Sequence, residues 1–337
     1  MKNVFFLSII LLVLSTLTKT IAQEQTENSF KPAGEPIIKV FSNFHTSITN
    51  GTDKSALEIK RAYFGYAYDL SPKFSVIAKL DIGSPDDKSA YSLIKRYAYF
   101  KNAALIYKNG NLTASFGLID LKQFKLQEKF WGYRYIYKSF MDEHRFGNSA
   151  DIGGSIGYKI NEAISVDFTI MNGEGYVQLQ ADNTYKGGWG ITLRPLHGVV
   201  ARFYYDLSRK ALSQSTLASF IGYEHERLFK LGAEYNLKRN ESYIENHDQK
   251  GFSVYGTVFI NEHFQAFGRY DRLTSNIATS EDRPWNLIED GTAIIGGVQY
   301  SPIRQVRIAL NYQDWYPLAK NRDEEAYIYL SFEYKID

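Results

Sequence analysis

From about Ile37 to its end, the chain is divided by breaks that alternate between tight and long, and this rhythm restricts the fold more than any single segment does. The tight breaks lie near Ser71-Pro72-Lys73, Asn109-Gly110-Asn111, Asn161-Glu162, Pro195-Leu196-His197, Glu226-Arg227, Asn261-Glu262 and Ser301-Pro302. Asn-Gly, Ser-Pro and similar pairs reverse a chain within a hairpin. Between them fall polar stretches at 48–54, 84–92, 121–149, 172–185, 208–215, 240–250, 275–290 and 317–324. Seven tight and eight long breaks separate sixteen segments. Each segment is about ten residues long, which is what a tilted strand needs to cross a bilayer.

Within the segments the pattern has period two. In the last one Ala326, Ile328, Leu330, Phe332, Tyr334 and Ile336 share one face, and Tyr327, Tyr329, Ser331, Glu333 and Lys335 share the other. Val306, Ile308, Leu310 and Tyr312 oppose Arg307, Asn311 and Gln313 in the same way, and Phe74, Val76, Ala78, Leu80 and Ile82 oppose Ser75, Lys79 and Asp81. Apolar residues outside and polar ones inside suit a wall between lipid and water. A soluble propeller or repeated sandwich also has many short strands, but needs neither long-short alternation nor an apolar outer face. The expected fold is all-β: a transmembrane antiparallel β-barrel of sixteen strands, with short periplasmic turns and long extracellular loops.

Composition fits that reading. Aromatic residues make up 15% of the chain and cysteine is absent, which excludes disulfide staples, thiolate catalysis and cysteine-held metals. Basic and acidic residues number 39 and 37, a balance unlike that of a nucleic-acid binder. The N-terminus reads as a secretory signal: Lys2, an apolar run from Val4 to Leu14, and small residues at Thr20-Ile21-Ala22. Residues 1–22 are therefore expected to be a signal peptide, 23–35 a disordered polar lead-in in the periplasm, and 36–337 the barrel.

Glu58-Ile59-Lys60-Arg61-Ala62-Tyr63-Phe64-Gly65, Tyr97-Ala98-Tyr99, Phe116-Gly117-Leu118, Asp151-Ile152-Gly153 and Met171-Asn172-Gly173-Glu174-Gly175 resemble the motifs of the phosphate-selective porin O/P family over about 55–175. Gly117-Leu118-Ile119-Asp120 replaces that family's Gly-Gln-x-Lys, and Asn148-Ser149-Ala150 stands where its re-entry arginine would be. The resemblance implies a porin of a Gram-negative outer membrane, passing small hydrophilic or anionic solutes without a cofactor. It also implies contact with outer-membrane lipid and lipopolysaccharide, and porins of this size commonly form homotrimers.

In such porins the third long loop folds inward and narrows the pore. Here that loop, 121–149, carries Lys122, Lys125, Lys129, Arg134, Lys138 and Arg145 against Glu128, Asp142 and Glu143, with Phe130, Trp131, Tyr133, Tyr135, Tyr137 and Phe140 among them. A structureless loop of this length is unusual and normally has a role. Basic side chains in a constriction favour anions; the alternative is a solvated surface loop. Strand parity turns Arg61, Lys79, Arg202, Arg269 and Arg307 toward the lumen, with Asp81, Asp206 and Asp271. An enzyme reading is disfavoured: His144, His197, His225, His247 and His263 are scattered over loops and turns, and no pair has metal-ligand spacing on one strand. A non-conducting barrel acting as an adhesin or assembly partner remains as the second reading.

Overall fold

A computed structural model describes residues 30–49, 54–83, 97–180, 182–226, 228–279, 281–321 and 324–336. The expected signal peptide, most of the lead-in and the break at 84–92 lie outside these residues. The strands are β1 (Ala33–Ser47), β2 (Ser55–Asp69), β3 (Phe74–Gly83), β4 (Tyr97–Asn109), β5 (Leu112–Asp120) and β6 (Ala150–Lys159). They continue as β7 (Ile164–Met171), β8 (Lys186–Leu193), β9 (Val199–Arg209), β10 (Ser213–His225) and β11 (Phe229–Arg239). The remainder are β12 (Gln249–Phe259), β13 (Phe264–Ser275), β14 (Gly291–Ile303), β15 (Val306–Pro317) and β16 (Glu325–Ile336). β1 starts at Ala33, so the strand takes up the last residues of the expected lead-in.

Every strand pairs antiparallel with its sequence neighbours, and β1 closes on β16 from Ile38↔Ile336 to Ser47↔Tyr327, giving a closed sixteen-stranded barrel. Closure leaves no open edge, so backbone N–H and C=O groups are satisfied within the wall, as a hydrocarbon surround requires. The outer face is apolar, with Leu57 84%, Phe116 73% and Leu310 61% exposed. The inner face carries Asn43, Arg202, Asp206, Asp271, Asn311 and Glu333, all buried. Among the described residues, no helix is long and apolar enough to cross a membrane.

The tight turns share one end of the barrel, and their residues explain themselves. Asn161 Oδ1 accepts from the N–H groups of Ala163 and Ile164, and Asn261 Oδ1 from those of His263 and Phe264. Ser71 Oγ accepts in the same way from Lys73 and Phe74. These side chains stand in for the backbone acceptors a turn lacks. One expected long stretch, 208–215, is a hairpin with only 210–212 outside the strands. Its serines continue the ladder, with Gln214↔Ser208 and Ser213↔Arg209 in register.

The register slips at three places among the described residues: one lies at the turn end of β14, between Tyr300 and Ile303, and the other two re-aim a lysine. The β1–β2 register slips between Phe41 and Ser42, whose partners are Arg61 and Ile59, so Lys60 is an extra residue. The β3–β4 register slips between Lys79 and Leu80, whose partners are Asn102 and Phe100, and Lys101 is extra. A bulge re-aims a side chain, and both lysines turn inward: Lys60 Nζ reaches the Ile136 carbonyl at 3.2 Å and Lys101 bonds Ser149 Oγ.

Candidate functional site

The segment 121–149 is neither structureless nor on the outer surface. It contains helices α1 (Lys125–Trp131) and α2 (Phe140–Glu143) and lies within the barrel. Gly132, left-handed at φ 79°, ends α1 and donates its N–H to the Glu128 carbonyl. Trp131, Tyr133, Tyr135, Ile136, Phe140 and Phe146 are almost fully buried. The first four pack on inward residues of the wall, Phe41 of β1, Phe220 of β10, Tyr255 of β12, Phe267 of β13 and Ile295 of β14, and Phe140 and Phe146 on Tyr204 of β9, Ala218 of β10 and Leu273 of β13. The Tyr133 ring stacks on Phe267 at 4.2 Å, and Trp131 meets Tyr255 edge-on at 5.6 Å. Gly222 leaves room for Phe130, whose ring would stand 2.7 Å from a Cβ there.

Wall side chains also hold the loop backbone. Arg269 donates to the Lys138 carbonyl at 2.7 Å, Arg307 to that of Gly132 at 3.2 Å, Lys238 to that of Arg145 at 2.9 Å, and Gln313 to that of Ile136 at 3.4 Å. Tyr133 and Tyr135 donate from their hydroxyls to Gln265 and Gln299. Loop aromatics and wall donors thus cover the β10–β16 side of the interior.

The opposite side, β2–β8, meets the polar edge of the loop. Lys125 Nζ lies 3.3 Å from Asp120 Oδ2, and Asn102 donates to the other oxygen at 3.1 Å. Arg134 bridges Glu128 at 3.4 Å and Asp142 at 3.0 Å within the loop. Burial is the largest single effect and opposes the charges of Lys125 and Arg134, but Asp120 with Glu128 in the first case, and Asp142 with Tyr63 and Glu128 in the second, together outweigh it, so both pKa values lie above their ordinary ones. Facing them, Arg61 pairs with Asp81 at 3.3 Å, and Tyr176 donates to Asp81 at 2.7 Å. The Lys101 ammonium sits 4.0 Å from the centre of the Tyr176 ring.

The six basic loop residues do not form one ring. Arg134, Lys138 and Arg145 line a cavity of 1020 Å³ at the long-loop end, where eight basic side chains face five acidic ones. Lys122, Lys125 and Lys129 line pockets of 790 and 360 Å³ at the short-turn end, with Lys159, Arg194, Arg202 and Lys230 against Asp167, Glu224 and Glu226. Burial lowers the Lys122 pKa, although Asp167 acts the other way.

The five wall residues differ in their surroundings. Arg202 grips Asp167 with both terminal nitrogens, at 2.8 and 3.0 Å. Arg269 and Asp271 form a pair with no exposed side-chain surface, and the guanidinium lies 5.1 Å from the Trp131 ring centre. Arg307 is 3.2 Å from Glu333, and Lys79 lies 5.9 Å from the Tyr63 ring centre. Sequence parity passed over Lys60 and Lys101 because a bulge leaves no mark in a period-two count. It also passed over Tyr176, which belongs to the loop after β7.

A Gly-x-Ser-x-Gly string, Gly153-Gly154-Ser155-Ile156-Gly157, runs straight along β6. A nucleophile of that kind needs a strand-turn-helix elbow. Among the described residues, no group of three or more metal-ligating side chains comes together.

A closed sixteen-stranded barrel with its third long loop inside is the architecture of porin-like outer-membrane proteins. The chain is similar to Salmonella typhi OmpF, solved in complex with daunomycin, at 12% identity and a TM-score of 0.68, covering 93% of this chain and all of that one, 100%. It is similar to the outer membrane channel DcaP of Acinetobacter baumannii at 12% identity and a TM-score of 0.66, covering 94% of this chain and 100% of DcaP. It is also similar to OmpT, an outer membrane protein of Vibrio cholerae, at 13% identity and a TM-score of 0.65, covering 92% and 99%. At such identities the likeness is one of fold. No family model matches the sequence, and no curated relative matches it. The barrel fold and its apolar outer face place the protein in the outer membrane.

Proposed function

We propose that this barrel is a porin through which small hydrophilic solutes diffuse passively, with a preference for anions. The supporting observation is the basic excess in the chambers on both sides of the inward loop. The proposed path runs between the polar edge of the loop and the β2–β8 wall, past Arg134, Arg61 and the Lys125–Asp120 bridge. Low-dielectric walls focus the field of such charges on a passing ion. The buried aromatic side of the loop occupies much of the interior, so a small unit conductance is expected. In this reading the short turns face the periplasm, the long loops face outward, and the barrel works as a homotrimer. Phosphate-like anions are the solutes that the O/P resemblance would add.

The test is reconstitution of the folded protein in planar bilayers. Ohmic current steps are expected, with a reversal potential in a salt gradient that leans toward the anion. Changing Lys122, Lys125 and Lys129 together to Glu should move it toward the cation. Lys125 is already neutralised in part by Asp120, so Lys122 and Lys129 should carry most of the change. Electrical silence of folded protein would remove conduction. A cation-leaning reversal potential, or an unchanged one in the triple variant, would remove anion preference.

A further inference from the structure

At the short-turn end, the two pockets flank one ridge, because Leu126, Lys129 and Arg194 line both. Leu126, Lys129 and Phe130 stand at i, i+3 and i+4 of α1, so a single helix face brings apolar and basic side chains to the same opening. The larger pocket, of 790 Å³, adds Val200 of β9 and Leu196 of the β8–β9 turn. Leu126 and Val200 pack against the aromatic core of the loop and are themselves only half-buried. The apolar surface of that core therefore continues into the pocket. A small inorganic ion gains nothing from such a surface, since only an apolar body is driven onto it by water.

The smaller pocket, of 360 Å³, is polar, with the hydroxyls of Thr113, Ser165 and Thr192 beside its cations. Seven lysines and arginines line the two pockets together, and four of them are engaged. Lys125 pairs with Asp120 at 3.3 Å, Lys159 with Glu162 at 2.6 Å and Arg202 with Asp167 at 2.8 Å, while Lys230 is opposite Glu224 of β10. Among the described residues, Lys122, Lys129 and Arg194 are in no ion pair. The Lys122 ammonium is seated over Gly157 of β6, where a Cβ would stand 2.3 Å from Nζ. The glycine makes room for the cation, and a larger residue would displace it. Three uncommitted cations thus adjoin one apolar strip.

We infer that the two pockets form one binding site for an amphipathic organic anion, a carboxylate carrying an apolar body. The carboxylate lies among Lys122, Lys129 and Arg194, where the Arg194 fork can donate two parallel hydrogen bonds. The body lies against Leu126 and Val200 in the larger pocket. Phosphate fills only the first half of the site, and a neutral apolar molecule only the second. A head of single charge also suits a solute in transit, which must bind weakly enough to leave. The inference rests on the porin reading and deepens it by naming the class of solute that the short-turn chamber selects.

The test is ligand-observed saturation-transfer NMR on the folded protein in lipid nanodiscs, with empty nanodiscs as the blank. Phenylbutyrate is the probe; butyrate lacks its apolar body and phenylbutanol lacks its charge. The wild type should bind phenylbutyrate more tightly than either by roughly tenfold or more. The variant Lys122→Gln/Lys129→Gln/Arg194→Gln should lose roughly tenfold or more of its affinity for phenylbutyrate and none for phenylbutanol. Lys320→Gln, exposed at the long-loop end, should leave both affinities unchanged. Should the triple variant lose its heat-modifiable mobility on gels, Lys129→Gln alone, exposed on α1, is expected to lose part of the affinity. Equal affinity of the wild type for phenylbutyrate and either control, or undiminished affinity in the folded variant, would overturn the inference. Single-channel recording separates the two ideas: selective binding without conduction would sink the porin reading alone, and conduction without selective binding would sink this one alone.

Discussion

Asp151 shows what two of the sequence motifs do. Its carboxylate accepts from the N–H of Ile152 at 2.7 Å, Gly173 at 2.9 Å and Gly175 at 3.1 Å. Asp151-Ile152-Gly153 and Met171–Gly175 are therefore one structural unit, a carboxylate tying down the loop after β7. Gly173 and Gly175 sit at φ 111° and 87°, where a side chain is strained. The motifs were legible as strings, but their role is to position Tyr176 against Asp81, and that pairing spans strands far apart in sequence. Asp151→Ala should leave the N–H groups of Ile152, Gly173 and Gly175 without this acceptor, and the buried one at Gly175 alone should cost about 1–3 kcal/mol. Hydrogen exchange at 172–176 should rise sharply while β6 and β7 stay protected. Unchanged protection there would show that the carboxylate does not hold the loop.

At the scale of the element, the composition of 121–149 was readable and its docking was not. Charge and aromatic content mark the segment as unusual, yet its partners lie more than a hundred residues away, as Tyr133 does from Gln265 and Tyr135 from Gln299. Nothing local in the sequence says that Phe130 faces Gly222. One consequence of the docking is a dependence on pH. His144 packs between Phe140 at 4.6 Å and Trp315 at 5.6 Å, with Nε2 4.0 Å from Asp271. Burial lowers its pKa below the ordinary value of 6.5; Asp271, Glu143 and Glu289 pull it back up, and Arg269 pushes it down. A histidine whose pKa is lowered on docking prefers to be neutral in place. Its contribution is complete above the ordinary histidine pKa and declines as pH falls below it. Hydrogen exchange across 121–149, corrected for intrinsic rates, should therefore be faster at about pH 5 than at about pH 7.5. His144→Phe should flatten the difference, since the ring contacts survive and the titration does not. An equal pH response in that variant would assign the effect to other groups.

The whole barrel was the most legible feature, because it depends on repetition rather than on any one contact. Sixteen strands follow from the alternation of breaks, and period-two faces follow from having lipid on one side and water on the other. What the rhythm missed are departures from period two: the bulges at Lys60 and Lys101, and the short hairpin at 210–212. Each is a local change in hydrogen bonding that alters side-chain direction without altering composition. The same repetition makes the transmembrane reading testable by depth. Leu310 lies in the middle of β15, opposite Val298 and Leu330, and faces outward. Leu310→Arg should cost about 2–4 kcal/mol in lipid, because the charge loses its water at mid-depth. Thr46→Arg, outward but at the rim of β1, should cost about 1 kcal/mol or less, because its side chain can reach the headgroups. Urea unfolding in vesicles measures both. A soluble barrel would place both arginines in water and show two small, equal effects, so the difference between the two sites carries the test.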